Sequence, residues 1–177
     1  GRVYLNGEDF YQKLLLDQGY FPGGIYAPAD DAIMRADCEM YKRMGFNGLR
    51  KHQKIEDPRF LYWCDRLGLV VWEEMPSTMG IGSAKVVENW AMEQFAAEMR
   101  EMVARDYNRP CIVTWTVLNE DWGVLSLYAS KKTRQWFADM VDLARRLDST
   151  RPVCDNSGGK HIDTGREFIR NIRCIPW

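Results

Sequence analysis

Asp57-Pro58-Arg59-Phe60-Leu61-Tyr62-Trp63-Cys64-Asp65-Arg66-Leu67-Gly68-Leu69-Val70-Val71-Trp72-Glu73-Glu74 contains a complete helix, its stop and a strand. Asp57 can cap the first turn, and Pro58 sits where a missing N–H costs nothing. Phe60, Leu61, Cys64 and Leu67 then keep one helical face, and Gly68 stands just past the end, where a left-handed residue closes a helix. Leu69 to Glu73 follows as a strand that is apolar almost without interruption, as expected when both of its faces are covered.

Outward from this stretch the same rhythm repeats. Upstream, a strand-like run spans Tyr11 to Leu16, Asp30 can cap a helix through Arg43 that buries Ile33, Ala36 and Met40, and Phe46 to Arg50 reads as a strand. Downstream, a helix of roughly Val86 to Tyr107 carries Ala91, Phe95, Met99 and Met102 on one side. Strand Cys111 to Leu118 comes next. A helix of roughly Leu127 to Leu147 then buries Trp136, Met140, Val141, Ala144 and Leu147, and Val153-Cys154-Asp155 is the last strand. The chain opens at Gly1-Arg2-Val3-Tyr4 in what reads as the middle of a strand.

Strand and helix in alternation predict a parallel α/β fold, either doubly wound or a barrel. Gly80-Ile81-Gly82-Ser83-Ala84-Lys85 lacks a third glycine, and Gly158-Gly159-Lys160-His161 lacks a hydroxyl after its lysine, so both read as loops rather than phosphate cradles. A barrel instead predicts polar side chains gathered at the carboxyl ends of strands. Asp17-Gln18, Arg50, Glu73-Glu74, Asn119-Glu120-Asp121 and Asp155-Asn156-Ser157 all lie at such ends. The expected fold is the N-terminal portion of a (β/α)8 TIM barrel, about five βα units of the eight in a complete one.

Composition removes several function classes. The formal net charge is −1, with no basic run or block of like charges, so no nucleic-acid partner is expected. The longest apolar stretches are of strand length, too short to span a bilayer, and no signal peptide opens the chain. The five cysteines form no Cys-x-x-Cys pair, and the two histidines have no ligand-like spacing to them. They read as small buried hydrophobes, with no metal and no cofactor expected. The odd cysteine count and the lack of an Asn-x-Ser/Thr sequon favour a reducing, cytoplasmic compartment.

Carboxylates converging on one barrel mouth, with tryptophans nearby, suit hydrolysis of a glycosidic bond. One carboxyl group protonates the leaving oxygen, and a second attacks the sugar or activates water. Burial would raise the acid's pKa so that it keeps its proton near neutrality. The strand Thr114 to Leu118 delivers Asn119 and Glu120 to the mouth. The plainer reading, that these residues solvate a strand end and cap the next helix, is equally open on pattern alone.

Arg105-Asp106-Tyr107-Asn108-Arg109-Pro110-Cys111-Ile112-Val113-Thr114-Trp115, ending at Asn119-Glu120, resembles the acid/base segment of glycoside hydrolase family 2, the family of β-galactosidases, β-glucuronidases and β-mannosidases. Gly45 to Arg50, Asp57 to Leu69, and Arg151-Pro152-Val153 are similar to its second strand, second helix and approach to the fifth strand. The resemblance runs from about Leu5 to about Thr164. It implies that Glu120 is the general acid/base, that Asn119 binds the 2-hydroxyl of the sugar, and that Arg50 supports the nucleophile's side. Glu74 falls where the family often has an acidic residue. It further implies a retaining mechanism on a β-glycoside substrate, with the two carboxyl groups about 5 Å apart.

Two departures stand out. Gln53 occupies the place of a family histidine, which points to a changed sugar contact. The family's nucleophile closes the seventh strand, and no equivalent is legible here, since residues 1–164 form the partial barrel and 165–177 depart from the family pattern. Asp17, Asp155 and Trp122 complete the expected sugar contacts. Glu74 as an opposing nucleophile is an alternative, and so is an inactive carbohydrate-binding fragment in which Trp72, Trp115 and Trp122 stack on sugar. An open barrel edge would also offer a surface for association.

Overall fold

The computed structural model describes residues 2–77, 88–120, 124–127, 130–159 and 161. Its strands are β1 (Tyr4–Leu5), β2 (Glu8–Asp9), β3 (Leu14–Asp17), β4 (Gly48–Lys51), β5 (Val70–Glu74), β6 (Ile112–Asn119) and β7 (Val153–Ser157). Its helices are α1 (Asp31–Arg43), α2 (Pro58–Leu67), α3 (Asn89–Asp106) and α4 (Lys131–Leu147), with a short 3-10 turn at Leu125–Leu127. Strands β3-β4-β5-β6-β7 form one sheet in chain order, with β3–β4, β4–β5 and β6–β7 parallel. That is the partial barrel the alternation predicts. The expected tail, residues 165–177, lies outside the described residues.

The chain divides into two compact units, Gly1–Glu73 with Arg109–Val113, and Glu74–Asn108 with Thr114–Trp177. In the first, α2 begins and ends as its sequence dictates. Asp57 accepts from the Arg59 amide, Pro58 occupies the first turn, and Gly68 takes a left-handed φ of 66°. Phe60, Leu61 and Cys64 are buried and Leu67 half-buried. α1 packs against α2 and is capped by Asp30 as expected. Its buried face differs from the expectation: Met34 and Cys38 are buried, while Met40 and Ala36 are exposed and Ile33 is half-buried. The Cys38 and Cys64 sulfurs lie 3.9 Å apart at this contact. β1 and β2 form a hairpin turned by Asn6 and Gly7, both at positive φ, so Tyr4 is a hairpin arm rather than the middle of a long strand.

In the second unit α3 packs on α4 and buries Met92, Phe95, Met99, Met102 and Val103. α4 starts at Lys131 behind Ser130, whose hydroxyl accepts from the Thr133 amide, and it buries Trp136, Phe137, Met140, Val141 and Ala144. Trp115 is fully buried, and its indole N–H donates to Asp148 at 2.9 Å, so this tryptophan belongs to the core and not to a sugar-stacking surface. Cys38, Cys64, Cys111 and Cys154 are free, buried thiols, and Cys174 lies outside the described residues. No described helix is long and apolar enough to cross a membrane.

Candidate active site

In the first unit the strand register sorts the side chains. Leu16, Arg50 and Trp72 lie side by side in one row, and Asp17, Lys51 and Glu73 in the next. Successive residues of a strand point to opposite faces, so the two rows face opposite ways. The second row meets the helices: Tyr41 of α1 donates to Asp17 at 3.3 Å, and the Lys51 ammonium lies 4.1 Å from the centre of the Phe60 ring of α2. Arg50 therefore points to the side away from α1 and α2, which suits the role its position at the strand end suggests.

Asp17, expected at the sugar, lies one residue past the row that carries Arg50. Its carboxylate bonds the Lys51 ammonium at 2.8 Å, the Tyr41 hydroxyl and the Gly19 amide at 2.7 Å. These partners make it a structural anion. Lys51 also pairs with Glu56, and Lys54 pairs with Glu56 at 2.9 Å. Burial alone would push the Lys51 ammonium down, but Asp17 and Glu56 outweigh it and hold the group above its ordinary range. This cluster was not legible as a unit in the sequence.

His52 and Gln53 follow β4. An Arg50 N–H of Nη2 lies 3.3 Å from His52 Nδ1, and Gln53 Nε2 lies 3.4 Å from His52 Nε2. Arginine can only donate, so Nδ1 must accept and the ring proton sits on Nε2. That proton is satisfied when Gln53 presents its amide oxygen, an orientation to be assigned from the bonding network. Gln53 holds a positive φ of 51°, a conformation an L side chain adopts only under constraint.

In the second unit the carboxyl ends of β5, β6 and β7 come together. The Met75 amide donates to Thr116, Asn119 is in register with Ser157, and the Glu120 amide donates to the Ser157 carbonyl at 3.0 Å. Glu74, Asn119, Asp155, Asn156 and Ser157 are buried, whereas Glu120 is exposed. Glu120 also stands in the left-handed region at φ 50°, so the residue expected to move the proton is the one held in strain.

Gly158, at φ 76°, makes room for that side chain. A Cβ there would lie 3.1 Å from Glu120 Cγ and 3.4 Å from its Oε1. A Cβ on Gly159 would strike the Asn156 amide. Gly158, read from sequence as part of a plain loop, is therefore the seat of Glu120, and Gly159 leaves room for Asn156. Asp155 Oδ1 accepts from the Asn156 amide at 2.8 Å and lies 2.5 Å from His161 Nδ1. Trp122 lies outside the described residues. Among the described residues no group of three or more His, Cys, Asp or Glu could hold a metal ion.

Known proteins place this arrangement in a family. The glycosyl hydrolases family 2 TIM barrel domain matches residues 28–173. A β-galactosidase of Thermoanaerobacter pseudethanolicus is 32% identical over 97% of this chain and 22% of its own length. A β-glucuronidase of Mus musculus is 29% identical over 82% of this chain and 22% of its own. Among solved structures, Parabacteroides merdae β-glucuronidase superposes with a TM-score of 0.75 at 27% identity, covering 86% of this chain and 19% of that one. A GH2 β-galacturonidase from Eisenbergiella tayi gives 0.73 at 26% identity, covering 86% and 26%. The chain spans about a fifth of the length of these curated relatives. With the strand order, the register and the match over most of its residues, the chain belongs to glycosyl hydrolases family 2, as part of that family's TIM barrel domain.

Proposed function

We propose that this chain carries the acid/base half of a retaining β-glycosidase. Glu120 donates its proton to the leaving glycosidic oxygen and then, as carboxylate, takes one from the incoming water. Asn119 holds the sugar's 2-hydroxyl, and Glu74 and Asp155 shape the polar wall beside it. The observation that carries this reading is the strained, exposed Glu120 seated on Gly158 at the end of β6.

The nucleophile is assigned to no residue of this chain. Glu74 has no exposed surface, so its carboxylate does not reach a sugar carbon without rearrangement. The relatives, a β-galactosidase, a β-glucuronidase and a β-galacturonidase, bracket the substrate as a β-linked hexoside or hexuronide.

The test is hydrolysis of aryl β-glycosides by the chain and by Glu120→Gln, with sodium formate added as an external nucleophile. Turnover that formate supports and that falls about 10²–10⁴-fold in the variant, most for poor leaving groups, is the expected result. Turnover indifferent to Glu120→Gln, or none even with formate, would sink the proposal. Sugar binding without turnover would leave a carbohydrate-binding remnant.

A further inference from the structure

The loop from Gln18 to Asp30, between β3 and α1, has a buried base and an aromatic crown. At the base, Phe21 is 4% exposed and bridges Ile25, whose amide returns to the Phe21 carbonyl at 2.9 Å. Lys54 staples both arms, donating to the Gly19 carbonyl at 2.9 Å and the Tyr26 carbonyl at 2.8 Å. Its ammonium lies 5.1 Å from the centre of the Phe21 ring and 4.5 Å from that of Tyr26. Gly19 lies flat on this staple, since a Cβ there would come within 2.6 Å of Lys54 Cδ.

Above the base, Tyr20 is 63% exposed, Ile25 73% and Tyr26 50%. The two tyrosine rings meet edge to face, with centroids 5.9 Å apart. Ile25 is also a β-branched residue at φ 55°, a strained conformation for such a side chain. A chain that strains Ile25, spends a buried cation on two carbonyls and still leaves three large side chains in water is holding them out for something. The loop leaves the carboxyl end of β3, beside the end of β4 that delivers Arg50 and His52, and the His52 amide donates to the Asp17 carbonyl at 2.8 Å. In barrel enzymes the loops at this end line the substrate.

We propose that Tyr20 and Tyr26 form a rigid stacking platform for a further pyranose ring of a β-glycoside substrate. A pyranose offers an apolar face of C–H groups to an aromatic ring and hydroxyls to a phenol at its rim, which matches the apolar body and polar tip of tyrosine. Pre-ordering by Lys54 removes the entropic cost of fixing two aromatic side chains at binding. The proposal rests on the glycosidase reading, and it concerns substrate length, not the proton transfer.

The experiment titrates full-length Glu120→Gln, by calorimetry, with β-linked galactosyl, glucuronyl, mannosyl and glucosyl disaccharides and with the matching methyl β-glycosides. One disaccharide is expected to bind about tenfold more tightly than its methyl glycoside, the gain of a well-stacked ring. Tyr20→Ala/Tyr26→Ala should erase that preference, leave the methyl glycoside unaffected and keep the thermal midpoint, while Tyr26→Phe retains most of it. No preference for any disaccharide, or a preference that survives the double substitution, overturns the platform. Loss of self-association in the double variant with sugar binding unchanged also overturns it, assigning the crown to a protein contact. Because turnover plays no part, failure here is distinct from failure of the Glu120 assignment.

Discussion

Replacing Asp148 by asparagine tests how the second unit is held. Four donors converge on this buried carboxylate. Oδ2 accepts from the Trp115 indole at 2.9 Å and from Arg151 at 2.6 Å, and Oδ1 accepts from the Thr150 amide at 2.8 Å and its hydroxyl at 2.6 Å. Asparagine offers one oxygen and one NH2, so one pair of donors must face another donor. Two bonds to a charged acceptor are lost, each worth about 1.5–3 kcal/mol, which gives a destabilisation of about 3–6 kcal/mol.

The pH dependence carries a second signature of the same bonds. Burial pushes the Asp148 carboxyl up, but the bonds from Thr150, Trp115 and Arg151 together outweigh it and hold the group far below its unfolded value of 3.8. A carboxyl depressed by folding contributes stability that is complete above the unfolded pKa and is lost as pH falls through the folded one. Urea unfolding at neutral pH and at a series of acid pH values, followed by tryptophan fluorescence, measures both effects. The wild type should lose stability below about pH 4 more steeply than Asp148→Asn. A loss under about 1 kcal/mol at neutral pH, or parallel acid profiles, would refute the reasoning.

Three further outcomes are expected. Gly158→Ala should cost about 1–2 kcal/mol from its positive φ alone and lower any Glu120-dependent turnover, since the new methyl presses on Glu120 Cγ; urea unfolding and the aryl glycoside assay read the two effects. Lys51→Met leaves the buried Glu56 and half-buried Asp17 carboxylates without their shared cation, a loss of about 3–5 kcal/mol by urea unfolding. Cys64 and Cys111 are pushed well above the ordinary thiol range, chiefly by burial. They should label with a maleimide at pH 8 only as fast as the chain opens, and labelling at the rate of a free thiol would contradict the packing.

Some elements were legible because their signals are local. Asp57-Pro58 and Gly68 bracket α2 by capping chemistry alone, and the apolar run from Val70 announces β5. The face of α1 was not, because Ile33 and Met34 are adjacent apolar residues and either can seed a helical stripe. The contact of Cys38 with Cys64, from another element, settles it. The partners of Asp17 were hidden for a related reason. A carboxylate at a strand end suits a barrel mouth, but the one-residue alternation that sends Arg50 one way sends Asp17 and Lys51 the other. Lys51, Lys54 and Glu56 did not stand out as a unit, because their partners Asp17, Gly19 and Tyr26 are distant in sequence. Asn119 and Glu120 stood out through the strand that delivers them, yet the strain at Glu120 and its seat on Gly158 follow from backbone geometry that residue types do not announce.

The Asp17–Lys51–Glu56–Lys54 cluster has a consequence for the medium in which the protein works. Mobile ions weaken charge pairs they can surround, over a distance of about 8 Å at physiological strength, but they do not enter a packed interior. Both ammonium groups and the Glu56 carboxylate are buried here, with aromatic rings beside the cations. The loop they anchor accordingly keeps its shape in brine as in dilute buffer.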